Sequence, residues 1–193
     1  LLTANGDLTM KYYLNNPLAN NGIGLDVPGA EMIDATKTDY AAFFAGLAPE
    51  DEVVIVGGDG TINYLVNHVD CENLKNNVYL LGNGSGNDFL NDIGEKPGKE
   101  ILLDKYLKNL PTARVNGREW KYINNMSYGI DGYCCEVADK IKEKTPGKKI
   151  NYTSIAVKGL LFYFKPCHAE IEVDGVRREF DNVWLAPALK GRY

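Results

Sequence analysis

The apolar positions of this chain change period several times, and each change marks an element. Met10 opens "MKYYLNN", an alternating strand pattern that runs into a loop rich in Asn, Pro and Gly. Residues 37–48, "KTDYAAFFAGLA", put Tyr40, Phe43, Phe44 and Leu47 on one helical stripe, closed by Pro49 and Glu50. Val53 to Val56 form an unbroken β-branched run, the pattern of a strand buried on both faces, and Ile62, Leu65, Val66 and Val69 then recur at helical spacing. The unit repeats from Val78, where "VYLLGNGSGNDFLNDIG" passes through Gly82, Gly84 and Gly86 into a short helix around Phe89 to Ile93. Strand, helix, strand, helix in this order predicts an α/β fold with a parallel sheet and right-handed crossovers. Residues 99–110, "KEILLDKYLKNL", predict an amphipathic helix ended by Pro111.

Beyond Pro111 the texture changes. "TARVNGREWKYINNMSYGIDGYC" reads as strands broken by Asn-Gly and Gly, and a lysine-rich stretch and the apolar "SIAVKGLLFYF" follow. "HAEIEVDGVRREFDNVWLAPAL" alternates like antiparallel strands, with "VDGV" as a hairpin turn. A domain boundary is therefore expected near Thr112, between an α/β domain over 10–111 and a β-rich domain over 112–193.

Composition narrows the function classes. The 193 residues, 45% hydrophobic, are enough for a packed core. A net charge of −5 argues against general nucleic-acid binding and gives no global attraction to an anionic membrane, so any membrane contact must be local. No basic segment followed by an apolar core opens the chain, and no apolar run approaches spanning length, which reads as a soluble intracellular protein. Cys71, Cys134, Cys135 and Cys167 form no C-x-x-C pair and read as reduced packing thiols; with only His68 and His168 beside them, no zinc constellation is visible.

The chemistry concentrates at the two strand-to-helix turns. Gly57, Gly58 and Gly60 permit close approaches that a Cβ would block, and Thr61 or Asp59 can cap the helix that follows. Free N–H groups at the positive end of a helix suit phosphate. A carboxylate there repels phosphate unless it holds a cation, accepts a proton or bonds backbone amides, and those three roles stay open for Asp59. Both turns lie at strand carboxyl ends, so they can line one crevice of an open α/β sheet. Neither turn is a Walker loop, and residues 82–87 fail the dinucleotide fingerprint because Asn87 takes its last position.

"NNP" at 15–17, "GGDGT" at 57–61, "GNGSGNDF" at 82–89 and "NNMSYGIDG" at 124–132, in that order, resemble the diacylglycerol kinase catalytic-domain family, which includes bacterial lipid kinases and relatives of sphingosine kinases. The resemblance runs from about Met10 to Tyr193 and implies an N-terminal Rossmann-like nucleotide domain followed by the start of a β-sandwich domain, with ATP in the cleft between. Its implied activity is transfer of the γ-phosphate of ATP to a lipid hydroxyl, with Mg2+ and with diacylglycerol giving phosphatidic acid as the family default. Carried over by position, Asn16 and Pro17 resemble the first ATP contact and Thr36 a threonine near the nucleotide. Gly57, Gly58, Gly60, Thr61 and Asn63 resemble the main phosphate loop with Asp59 as the catalytic or cation-holding member. Gly84, Ser85, Asn87 and Asp88 resemble the second turn, and Asn124, Gly129 and Asp131 a second-domain motif facing the cleft. Two departures stand out. Tyr64 occupies a position where many members carry Glu, and "LKGRY" is where the family continues into a glycine-rich turn and strands bearing a base carboxylate and a metal-associated acidic site.

The resemblance leaves two other readings, a NAD-kinase-like enzyme sharing "GGDGT" and a non-catalytic nucleotide- or lipid-binding module. "GSGNDF" favours the lipid kinase over the NAD kinase. The expected partner is a membrane lipid met by transient peripheral contact at the inner surface of a membrane, from a cytoplasmic location, with no nucleic acid and with a homodimer left open. Lys140, Lys142, Lys144, Lys148 and Lys149 make residues 140–149 locally basic, able to meet an anionic surface or to form a solvated face, while "GLLFYF" is expected chiefly as a buried core element.

Overall fold

Val53, Val54, Ile55 and Val56, all at 0% exposure, form the centre of a five-stranded sheet. The computed structural model describes residues 9–23, 25–145 and 148–192, and the reading of residues 1–8 lies outside them. Strands β1 (Lys11–Asn15), β2 (Met32–Asp34), β3 (Glu52–Gly57), β4 (Asn77–Gly82) and β5 (Glu100–Leu102) take the order β2-β1-β3-β4-β5. The first four are mutually parallel and β5 is antiparallel to β4, so the sheet is mixed at one edge. A run of this kind needs cover on both faces. Helices α1 (Tyr40–Ala45), α2 (Asp59–His68) and α3 (Asp88–Asp92) help supply it, with Tyr40, Phe44, Ile62, Leu65, Phe89 and Leu90 in one core with Leu14, Val53, Ile55, Val78 and Leu80.

The helix expected over 99–110 does not form. Glu100 to Leu102 pair with β4 and a 3-10 turn covers Asp104–Tyr106. Buried Ile101 and Leu103 alternate at strand spacing, and the Leu103 N–H donates to the Val78 carbonyl at 2.7 Å. Unpaired backbone groups at the edge of β4 thereby gain partners, which outweighs the helical spacing of Leu103, Leu107 and Leu110. Glu100 is held in addition by the Tyr13 hydroxyl at 2.8 Å and by Lys11 Nζ at 2.5 Å.

Two compact units divide the chain, one reaching Asn124 and taking back Lys190 to Tyr193, the other spanning Asn125 to Leu189. The change of texture near Thr112 coincides with the start of β6 (Thr112–Val115), which turns through Asn116 and Gly117, both at positive φ, into β7 (Arg118–Lys121). This hairpin stays with the first unit. Asn67 on α2 donates to the Lys121 carbonyl at 2.9 Å and accepts from the Lys121 N–H at 2.8 Å.

In the second unit β8 (Asn125–Gly129) pairs antiparallel with β11 (Leu185–Leu189), and β9 (Cys167–Val173) with β10 (Val176–Val183) through the expected Asp174-Gly175 turn. The strand expected to continue through "GIDGYC" is instead α4 (Ile130–Lys144), because Gly129 at φ 116° redirects the chain and its position leaves no room for a Cβ against the Trp184 carbonyl. A second helix, α5 (Tyr152–Lys158), runs into a π-helical turn over Gly159–Tyr163. "GLLFYF" is therefore no core element. Leu160, Leu161, Phe162 and Tyr163 are 47%, 66%, 75% and 68% exposed, and among the described residues Ala138 and Ile155 are the buried hydrophobics of this unit. All four cysteines are free, and only Cys71 is buried. Among the described residues no helix is long and apolar enough to cross a membrane.

Candidate active site

Parallel pairing sets the carboxyl ends of four strands side by side: Asn15 pairs with Asp34 and with Val56, and Gly57 with Gly82. The two glycine turns leave β3 and β4 as neighbours and then touch. A Cβ on Gly58 would lie 2.6 Å from the Gly84 Cα, and one on Gly84 would lie 2.7 Å from the Gly58 Cα. Backbone fills both places, so neither residue can carry a side chain without parting the turns. The Asn83 N–H closes the junction by donating to the Gly57 carbonyl at 2.7 Å. Gly57 is bounded by Thr61, whose side chain occupies the place of a Cβ.

Asp59 is the first residue of α2, yet it serves the other helix. Its Oδ1 accepts the Phe89 N–H at 2.9 Å and its Oδ2 the Asp88 N–H at 3.1 Å. Those are N-terminal donors of α3, whose own N-cap, Asn87, sits at φ 60° and makes no side-chain cap bond. Of the three roles open to this carboxylate, bonding backbone amides is the one the geometry displays. Gly86 leaves space beside the same group, since a Cβ there would stand 3.5 Å from Asp59 Oδ2 and 3.7 Å from Asp88 Oδ1. The Asp88 carboxyl titrates above the usual carboxylate range, first because burial disfavours its charge and then because Asp59 and Asp92 add negative potential.

Asn16 ties the first loop to the main turn. Its Nδ2 donates to Thr61 Oγ1 at 3.0 Å, its Oδ1 accepts the Leu18 N–H at 3.0 Å, and its own N–H donates to the Val56 carbonyl at 2.9 Å. Thr36 lies just past β2 and spends both its N–H and its hydroxyl on Asp34 Oδ1, at 2.9 and 2.6 Å. Asp34 accordingly titrates below the usual carboxylate range, through the Thr36 hydroxyl, then Lys37, then the Thr36 amide.

The rim offers donors that a phosphate could take. The Asp59 and Gly60 N–H groups at the start of α2 have no acceptor among the described residues, and the space beside Gly60 is open. These are the oriented donors a phosphate takes at a helix N-terminus. Beside these turns the buried side-chain oxygens of Asn15 and Asn87 have no hydrogen-bond partner in the protein. Among the described residues no three His, Cys, Asp or Glu side chains gather for a metal. Magnesium held together with phosphates takes only one or two carboxylates, and Asp59 and Asp88 are two.

Of the residues picked out in the sequence, Asn16, Gly57, Gly58, Asp59, Thr61, Gly84, Asn87 and Asp88 form one hydrogen-bonded and packed constellation. Gly60 and exposed Ser85 lie open within the two turns, and Pro17 follows Asn16 in its loop. Asn63 is one turn into α2 with an exposed side chain, Thr36 is engaged by Asp34, and Asn124, buried, accepts the Lys190 and Gly191 N–H groups on its carbonyl. Asp131 sits in the first turn of α4, in the second unit. Tyr64, the departure from the family pattern, stacks on His68 at 3.7 Å and meets Tyr40 edge-on at 5.0 Å, on the outer side of α2. Sequence reasoning passed over Asn15 and Asn83, although "NNP" and "GNG" display both, because neither fits a phosphate-donor pattern.

Residues 25–114 match the diacylglycerol kinase catalytic domain. A Staphylococcus haemolyticus (strain JCSC1435) protein named "Putative lipid kinase SH2167" is 32% identical over 117 residues, 58% of this chain and 36% of its own length. A Staphylococcus carnosus (strain TM300) protein named "Putative lipid kinase" is 29% identical over 102 residues, 51% of this chain and 33% of its own. The aligned chain thus spans about a third of the length of these relatives. A crystal structure of "a putative diacylglycerol kinase" from Bacillus anthracis str. Sterne superposes with a TM-score of 0.57 at 18% identity, covering 100% of this chain and 69% of that one. At that identity the likeness is one of fold.

Proposed function

We propose, for a chain whose residues 25–114 belong to the diacylglycerol kinase catalytic-domain family, that it takes part in ATP-dependent phosphorylation of a lipid hydroxyl, with diacylglycerol giving phosphatidic acid. The observation that supports this reading most is the Gly58–Gly84 junction, which joins two strand-end turns into one donor-lined cradle beside the Asp59 and Asp88 carboxylates. Phosphoryl transfer asks little covalent chemistry of a protein and much positioning. Bound ATP would supply the γ-phosphoryl group, and magnesium held beside it would neutralise charge on its phosphates. The α2 amides would receive phosphate oxygens, Asn15 and Asn87 would accept donors of the nucleotide or of metal-bound water, and Asp88 would face the cation, beside an Asp59 whose oxygens hold the α3 amides. Asp59 acts through the second turn as a positioning residue, holding Asp88 and Phe89 at the mouth of the cradle. The acceptor oxygen would bond to phosphorus as the bridging oxygen leaves with ADP, the hydroxyl proton passing to solvent water.

One observation favours a second reading, a nucleotide-binding module without transfer: both Asp59 oxygens already hold backbone amides. Titration with Mg·ATP tests the shared premise. Binding should be saturable and should weaken at least tenfold in Ser85→Trp, an exposed position where an indole fills the second turn without disturbing the core. Unchanged binding in that variant removes the turn from the site.

A further inference from the structure

Asp92 closes α3, and for that helix alone it is the wrong residue. A carboxylate in the last turn faces the negative end of the helix dipole. Asp88 stands four residues before it on the same face, where Asp92 adds negative potential. Both effects act on a helix of five residues, too short to hold itself. What the carboxylate gains lies 100 residues further along the chain, where its Oδ1 accepts the Arg192 N–H at 2.6 Å. Gly191 is fitted to the same group, since a Cβ there would fall on Asp92 Oδ2 and lie 2.8 Å from Asp92 Cγ. The φ of Gly191 is not positive, so its missing side chain answers to the carboxylate and not to the backbone conformation.

The segment that meets Asp92 is itself fixed. The Asn124 carbonyl accepts the Lys190 N–H at 2.8 Å and the Gly191 N–H at 3.0 Å. Lys190, Gly191 and Arg192 thus spend three successive backbone N–H groups on the first unit, to which they belong. Carboxylates therefore clamp α3 at both ends: Asp59 takes the N–H groups of Asp88 and Phe89 at its start, and Asp92 takes that of Arg192 at its end. Held only at its start and by the buried Phe89 and Leu90, so short a helix would be free to pivot. Asp88 and the second glycine turn before it would move with it.

We propose, on the nucleotide-cradle reading of the two turns, that residues 190–192 form a strap that positions α3 through Asp92, and that the grip of the second turn on Mg·ATP depends on it. Asp92 is a positioning residue, acting on Asp88 through α3 and not by meeting the nucleotide itself. Gly191 is the position that keeps the strap close enough for the Arg192 N–H to reach it.

The test is a double-variant cycle in the 193-residue chain, read by amide hydrogen exchange without nucleotide and by calorimetric titration with Mg·ATP. Asp92→Ala removes the acceptor, and Gly191→Ala forces the carboxylate to swing away and give up the Arg192 N–H. Each should speed exchange at the Asp88 and Phe89 amides about tenfold and weaken Mg·ATP about tenfold, the worth of a charge-assisted hydrogen bond less the dipole cost it offsets. Together they should cost no more than either alone, because the alanine methyl takes the space the carboxylate left. Asp92→Asn keeps an acceptor for the Arg192 N–H and should recover Mg·ATP binding to within about threefold of native. A purely structural contact would lower the urea midpoint of Asp92→Ala and leave the Mg·ATP affinity of the folded chain native, and that result overturns the proposal. So do native exchange rates at Asp88 and Phe89 in both single variants, penalties that add in the double variant, or Asp92→Asn as impaired as Asp92→Ala. Failure of the nucleotide reading is separate, because the native chain itself would then show no saturable Mg·ATP binding, and exchange at Asp88 and Phe89 would still judge the strap.

Discussion

Replacing Asp59 by Asn keeps the shape of the side chain and exchanges one acceptor oxygen for a donor. In the native chain both oxygens receive backbone N–H groups, from Phe89 at 2.9 Å and from Asp88 at 3.1 Å. Whichever way the amide turns, one N–H then faces an NH2 group and loses its acceptor. A hydrogen bond to a charged group contributes about 1.5–3 kcal/mol, and the surviving bond loses its charge assistance. The dipole of α3 adds about 0.3–1 kcal/mol. Because Asp59 is only half-buried, water takes over part of the loss, and the net cost should be about 2 kcal/mol. With a urea slope of about 2 kcal/mol/M this lowers the unfolding midpoint by roughly 1 M. Amide hydrogen exchange at Asp88 and Phe89 should accelerate, and Mg·ATP affinity should fall with it because the second turn is no longer fixed. A midpoint within about 0.2 M of the native one, with exchange at both amides unchanged, would refute the capping role.

Gly58→Ala and Gly84→Ala each push a methyl group to within 2.6–2.7 Å of the facing Cα, and either should part the turns and weaken ATP binding by about tenfold or more in a calorimetric titration; native affinity in both would disprove the shared cradle. The Asp88 carboxyl, raised by burial and then by Asp59 and Asp92, binds its proton more tightly in the folded state than in the unfolded. Its contribution to stability is therefore full below the ordinary Asp range and is lost as pH rises through the folded value. Asp88→Asn should raise the melting temperature at pH 7 but not at pH 3, and a gain of equal size at both would contradict that assignment. Burial pushes the Cys71 thiol up to about 11, so Cys71 should stay unreactive towards a disulfide reagent at pH 8 while exposed Cys135 is modified; rapid modification of Cys71 in the folded protein would show that its site opens.

The sheet was legible because the unbroken apolar run Val53–Val56 gives way to helical spacing at Ile62 and Leu65, and the glycine turns because Gly58 and Gly84 are demanded by backbone contact at the strand ends. Hairpins at Asn116-Gly117 and Asp174-Gly175 were readable from the same positive-φ chemistry. Residues 99–110 misled because three buried leucines share a helical stripe while the strand that displaces it is only Glu100–Leu102, decided by the open edge of β4. "GLLFYF" misled for another reason: hydrophobicity sets what burial would gain, and tertiary placement decides whether burial occurs. For the site, the spacing of Gly57–Thr61 and Gly84–Asp88 located the cradle, but no local pattern could say that Asp59 caps α3, 29 residues further on.

The proposed delivery of the γ-phosphate of ATP to a lipid alcohol is open to direct assay. The most direct measurement is transfer of labelled γ-phosphate from ATP to diacylglycerol in mixed micelles, using protein expressed from its complete reading frame, with Ser85→Trp as the control. Magnesium-dependent label should appear in the chloroform-soluble product and be lost in that variant. Label that stays in the aqueous phase with diacylglycerol, monoacylglycerol, sphingoid and isoprenoid acceptors alike, while Mg·ATP binds normally, would contradict it.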